Sequence, residues 1–118
     1  MIKNKIVIPT SIMSGTLGLA MTMLATKILN RPVVELAVPR KTLLCDAIME
    51  AEAEAMIATC PILTVYQSSI QRLIARGVKV LIFPDHDMET VIKSMGAHVL
   101  DECARSLFET DHNREWRP

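Results

Sequence analysis

The sequence predicts a single three-layer α/β domain, with a mainly parallel sheet of four or five strands and helices on both faces. Three observations predict it. Short apolar, β-branched runs recur at residues 5–9, 33–38, 62–66 and 78–83, each followed by a stretch of helical periodicity. The runs are apolar almost throughout, as strands buried on both faces are, and strand–helix alternation of this kind gives parallel sheets with helices as the outer layers. The chain has 118 residues, half of them hydrophobic, which suits one domain core.

The elements follow in order. Residues 5–9 (KIVIP) read as a strand stopped by Pro9, because proline cannot extend a central ladder. Residues 10–14 read as a hydroxyl-rich loop. Ser14 is placed to cap a helix over residues 15–29, whose Leu17, Leu19, Met21, Met23, Leu24, Ile28 and Leu29 point nearly all round. A helix apolar all round is expected to be buried on more than one face. Residues 33–38 (VVELAV) read as the second strand, ahead of Pro39. Thr42 is placed to cap a helix running to about residue 58, with Leu44, Ala47, Ile48, Ala51 and Ala55 as its stripe and Asp46, Glu50 and Glu54 as a solvated acidic face.

Residues 62–66 (ILTVY) read as strand three. A helix from Ser68 or Ser69 turns Ile70, Leu73 and Ile74 inward and stops at Gly77. Residues 78–83 (VKVLIF) carry the plainest strand pattern, ahead of Pro84. A helix over 88–95 stops at Gly96, and residues 98–100 read as a fifth strand. A last helix spans 101–108 with Asp101 as its cap. The domain is expected to cover residues 1–108, followed by a polar tail over 109–118.

Composition narrows the function. Thirteen Lys and Arg balance thirteen Asp and Glu, so the net charge is zero. General nucleic-acid binders carry a clustered basic excess, and single-strand binders need stacking platforms; aromatic residues make up only 3% of this chain. Neither class is expected. Cys45, Cys60 and Cys103 form no CxxC pair, which points to free, semi-buried thiols in a reducing, cytoplasmic setting. Residues 6–26 carry no charge and follow Lys3 and Lys5, which gives them the look of a signal peptide or membrane span. Pro9, Gly15, Gly18 and six hydroxyl residues make them too polar to span. Strand, turn and buried helix is the expected reading, with a signal peptide ending at Gly18-Leu19-Ala20 as the alternative, and no membrane association is expected.

In open α/β sheets, ligands bind beyond the carboxyl ends of the strands. Four loops are predicted there, at residues 9–16, 39–42, 66–69 and 84–89. Thr10, Ser11, Ser14, Thr16, Arg40, Lys41 and Ser68 supply hydroxyls and cations suited to a small anionic metabolite or nucleotide. Ser14-Gly15-Thr16-Leu17-Gly18 completes neither a dinucleotide fingerprint nor a P-loop. The expected function is a self-associating module, a homo-oligomer, that binds such an anion and needs no cofactor.

Two enzymatic alternatives stand beside it. In Pro84-Asp85-His86-Asp87-Met88-Glu89, two aspartates two residues apart end a strand, and carboxylates so placed can share a hard cation such as Mg²⁺. With Glu35 as third ligand, this pattern resembles the Toprim domain of primases and small nucleases, where a glutamate ends one strand and Asp-x-Asp a later one. The resemblance implies Mg²⁺-dependent phosphoryl transfer, although Glu35 lacks the glycine that follows the family's glutamate. The other alternative is a small hydrolase with His86 as general base and Asp85 and Asp87 beside it. Set against both, Asp85 or Asp87 can simply cap the next helix. His86, His98 and His112 show no HxH or HExxH spacing.

The chain ends carry a second resemblance. The first strand, the glycine-containing turn and the small-residue helix are similar to the start of the type-two peptidyl-tRNA hydrolase superfamily. Leu107-Phe108-Glu109-Thr110-Asp111-His112-Asn113-Arg114 looks like a Phe-x-Thr-x-His-Asp/Asn-Arg segment of an uncharacterised branch of it. The hydrolases carry lysines and a glutamine where residues 12–25 have neither, so the resemblance implies a fold and not tRNA hydrolysis.

Overall fold

The computed structural model describes residues 5–13, 15–83, 85 and 87–101. Five parallel strands form one sheet: β1 (Ile6–Ile8), β2 (Val34–Glu35), β3 (Ala55–Thr59), β4 (Lys79–Phe83) and β5 (His98–Val99). Their order is β2-β1-β3-β4-β5. Five helices connect them: α1 (Gly15–Leu29), α2 (Leu44–Glu50), α3 (Cys60–Val65), α4 (Gln67–Ala75) and α5 (Glu89–Ser94). The predicted class, a parallel sheet with helices on both faces, is the observed one.

Alternation along the strands divides the core in two. Val7, Met56, Ala58, Val80, Ile82 and Val99 face one side, with Leu44, Ile48, Leu63, Ile70, Leu73 and Ile92 from α2 to α5. Ile6, Ile8, Ala55, Ile57, Leu81 and Leu100 belong to the other, with Met21, Ala25 and Leu29 of α1. The division follows from handedness. Crossovers between parallel strands are right-handed, so a change of winding direction moves the helices to the opposite face. The chain leaves β1 towards β2, then jumps back across β1 to β3, and α1 alone connects the first pair.

Helix ends are closed mostly by backbone. Gly77 (φ 89°) and Gly96 (φ 87°) end α4 and α5, with Val78 N–H on Leu73 O at 3.0 Å and Ala97 N–H on Ile92 O at 3.1 Å. These are the bonds of the Schellman closure, and both glycines were expected there. α2 closes in the same way through Glu52 at φ 55°, a left-handed position without a glycine. There Glu52 N–H reaches Met49 O at 3.1 Å and Ala53 N–H reaches Ile48 O at 3.5 Å.

The structure corrects the middle of the chain. The helix expected from Thr42 to residue 58 ends at Glu50, and residues 55–59 are strand β3 instead. The strand expected at 62–66 is helix α3, whose Cys60, Ile62 and Leu63 are buried while Thr64 and Val65 are exposed. Ala, Glu and Met favour helix locally. A central strand covered on both faces makes the opposite demand, and small Ala55 and Ala58 fit it with no exposed surface.

Smaller differences have local causes. Thr42 is not the cap of α2: the N-cap is Leu43, with no side-chain cap bond, and Thr42 N–H instead closes a turn on Pro39 O at 3.0 Å. α4 starts at Gln67, ahead of Ser68 and Ser69. β2 is two residues where six were expected, because its neighbour β1 stops at Ile8 and the chain then turns away into a 3-10 helix at Thr10. Glu54 lies beyond α2 and forms ion pairs with Arg31 (3.5 Å) and Lys79 (3.9 Å). The expected last helix beyond residue 101, the tail and Cys103 lie outside the described residues. No helix among the described residues is long and apolar enough to cross a membrane.

Candidate functional site at the carboxyl edge of the sheet

The winding reverses beside β1, so the connections leaving β1 and β3 diverge. Such a reversal opens a crevice at the carboxyl ends of the two strands, the usual ligand position in open α/β sheets. Pro9 is buried at the end of β1 and turns the chain into a 3-10 helix (Thr10–Ile12). Ile12 N–H reaches Pro9 O at 3.3 Å, and Met13 N–H reaches Thr10 O at 3.1 Å. The turn is held from two sides. Gly18 of α1 faces Thr10 so closely that an added Cβ would lie 3.1 Å from Thr10 Cβ. The Ser11 hydroxyl accepts a hydrogen bond from Val38 N–H at 2.8 Å.

That last bond brings the exit of β2 beside the exit of β1. It draws the loop that carries Arg40 and Lys41, both exposed, to the same edge as Thr10 and Ser11. Four of the seven predicted ligand residues are therefore gathered there. Thr16 belongs to the first turn of α1, and Ser14 lies outside the described residues. Ser68 does not join them. It lies within α4, beyond the whole of α3, because the strand expected ahead of it is a helix.

β3 and β4 contribute residues the sequence reading did not select. Thr59 pairs with Phe83 at the end of the ladder. Cys60 follows at once, buried, with its Sγ donating to Phe83 O at 3.5 Å. Burial pushes the Cys60 thiol above its ordinary value; the Asp85 backbone N–H opposes this, and the Asp85 charge adds to it. The thiol is thus protonated at neutral pH, and the thiol is a poor nucleophile beside its thiolate. One signal for this junction was present. Pro61 sits in the first turn of α3, where proline marks helix starts, just as Pro9 and Pro84 follow other strands.

The acidic cluster does not assemble as a three-carboxylate site. Asp85 and Asp87 are exposed beyond β4, and Asp87 has φ 62°. Neither is the N-cap of α5, which is Met88 without a side-chain cap bond. Glu35 is exposed on β2, beside Ile8 of β1. Two strands separate β2 from β4, which at about 4.8 Å per step places them about 14 Å apart. One cation cannot be held by carboxylates across that span, so the Mg²⁺ ligand set of Glu35, Asp85 and Asp87 does not fit. Among the described residues, no group of three or more His, Cys, Asp or Glu could hold a metal. His86 and the 107–114 segment lie outside the described residues.

Fold and edge together define a doubly wound parallel α/β domain whose winding reverses beside β1, with Thr10, Ser11 and the Arg40–Lys41 loop at its carboxyl edge. Compared with protein-family models, curated proteins and solved structures, the chain finds no match.

Proposed function

We propose that the protein is a binding module that takes a small anionic ligand, a phosphate- or carboxylate-bearing metabolite, at the carboxyl edge of the sheet around the end of β1. The observation that carries this reading is the reversal of winding beside β1, with Thr10, Ser11 and the Arg40–Lys41 loop brought to that one edge. Backbone N–H groups at the start of α1, a helix of 15 residues, give the same edge a positive end. Arg40 and Lys41 add exposed cations that attract an anion. The protonated Cys60 favours binding over covalent catalysis.

The test is a thermal-shift series on the full chain with inorganic phosphate, a nucleoside monophosphate and a dicarboxylate. Ligand that binds only the folded chain raises the melting temperature by mass action. A rise with at least one anion, lost in the Arg40→Ala/Lys41→Ala variant, supports the reading. Flat melting curves with all three, or a rise that the variant keeps in full, would overturn it.

A further inference from the structure

At the amino edge of the sheet, the turn from α2 to β3 and the turn from α4 to β4 line a groove of about 230 Å³. Both helices end there in left-handed closures, at Glu52 (φ 55°) and Gly77 (φ 89°). The first turn gives the groove an acid, Glu52, and the second a base, Arg76. Both side chains are exposed, and among the described residues neither forms an ion pair or a side-chain hydrogen bond. Two opposite charges thus line one groove, yet stand too far apart to pair with each other. The other two charges in the lining are engaged: Glu54 lies 3.9 Å from Lys79, and 3.5 Å from Arg31 outside the groove. The remaining side chains are apolar, with Ala53 and Val78 buried and Met49 half-buried.

The backbone narrows the choice of ligand. The N–H groups of residues 52–54 and 76–79 are all bonded within the chain. The two turns therefore offer a ligand carbonyl acceptors and no main-chain donor. The carboxyl ends of α2 and α4 add partial negative charge. A phosphate finds no nest of N–H groups here. An ammonium finds acceptors, and a carboxylate finds only side-chain donors, foremost the planar guanidinium of Arg76.

We infer that this groove binds a small zwitterion, a free α-amino acid with an apolar side chain. Its ammonium meets Glu52, its carboxylate meets Arg76, and its side chain lies on Met49, Ala53 and Val78. A ligand with both charges answers both residues, whereas a simple cation leaves Arg76 without a partner and a simple anion leaves Glu52 without one. The size agrees. Drug-sized ligands occupy about 300–1,000 Å³, and this groove suits a smaller molecule. The closure of α4 uses glycine at the left-handed position where the closure of α2 has Glu52. Glutamate there gives up some backbone stability and places a carboxylate at the groove. The site lies at the other end of the sheet from the anion site and does not depend on it.

Titration of the full chain with L-leucine, followed by amide chemical shifts, tests this. Exposed charges and a small apolar lining give a millimolar constant, so a range up to about 20 mM covers saturation. Shifts are expected at residues 49–54 and 76–79. Glu52→Gln and Arg76→Gln each remove one charge from an exposed side chain that has no partner in the chain, and unchanged shifts elsewhere show that each variant folds. Each should raise the constant about fivefold. N-acetyl-leucine, which lacks the ammonium, and leucine amide, which lacks the carboxylate, should bind the wild type as weakly. No shifts at the top of the range, shifts confined to the carboxyl edge, or binding that either variant or either analogue matches in full would overturn the inference.

Discussion

Replacing Gly18 with alanine sets two effects of known size against each other. In a helix interior, alanine is favoured over glycine by about 1 kcal/mol. Against this, the new Cβ would lie 3.1 Å from Thr10 Cβ, 3.2 Å from Thr10 Cγ2 and 3.5 Å from Thr10 Cα. The Thr10 side chain cannot rotate clear, because its Cβ itself is in the way and the residue is β-branched. The 3-10 turn must shift by a few tenths of an ångström, and overpacking of this kind costs about 1–3 kcal/mol. The net expectation is a loss of about 1 kcal/mol. In a Thr10→Gly background the new methyl meets only backbone, at an ordinary van der Waals distance, so the same substitution should there stabilise by about 1 kcal/mol. Urea unfolding of the four proteins, followed by circular dichroism, gives the coupling energy directly. A coupling near 2 kcal/mol is predicted, about the overpacking cost alone, because the helix preference is common to both backgrounds and cancels. Gly18→Ala stabilising equally in both backgrounds would refute the close packing of α1 on the turn, and with it the held position of Thr10.

Glu52→Gly relieves a left-handed position on the surface at φ 55°, and should stabilise the protein by about 0.5–1 kcal/mol in the same urea assay. Ile57→Ala empties a fully buried site in the central strand and should cost about 2–5 kcal/mol, whereas Val65→Ala should stay within about 0.5 kcal/mol, because Val65 is 74% exposed on α3. Exchanged roles for those two positions would restore the strand at 62–66. For Cys60, a thiol pKa raised by burial means that the unfolded chain ionises first. Its stabilising contribution is present below the ordinary value of 9.0 and is lost as pH rises through the higher folded value. Between about pH 8 and 10.5, the melting temperature should thus fall more steeply in the wild type than in Cys60→Ser.

The class of fold was legible because it depends on alternation, which survives a misplaced element. α1, β4 and the Gly77 and Gly96 stops could be read locally, since apolar runs and left-handed glycines act through their own backbone. β3 could not. Ala55-Met56-Ile57-Ala58-Thr59 reads as a continuation of the helix before it, and the break is made by Glu52 in a left-handed conformation that no glycine announces. Only the demands of a strand packed on both faces decide the matter, and those come from residues distant in sequence. The slip moved the third strand by seven residues. The alternation stayed intact, but the loop behind that strand was lost, so Ser68 was selected in place of Thr59 and Cys60. The Glu35–Asp85 pairing failed for a related reason: strand order determines which loops meet, and no local pattern encodes it. Thr10, Ser11, Arg40 and Lys41 come to one edge because β1 and β2 are neighbours in both sequence and sheet.

Amide chemical shifts of the full chain titrated with inorganic phosphate locate the binding site residue by residue. Saturable shifts are expected, concentrated at residues 9–13, 15–18, 36–42 and 59–61. The opposite end of the sheet provides the contrary result. There, a groove of about 230 Å³ is lined by Glu52, Glu54, Arg76 and Lys79 among others. Shifts confined to that groove, or none at saturating phosphate, would contradict the assignment of the carboxyl edge.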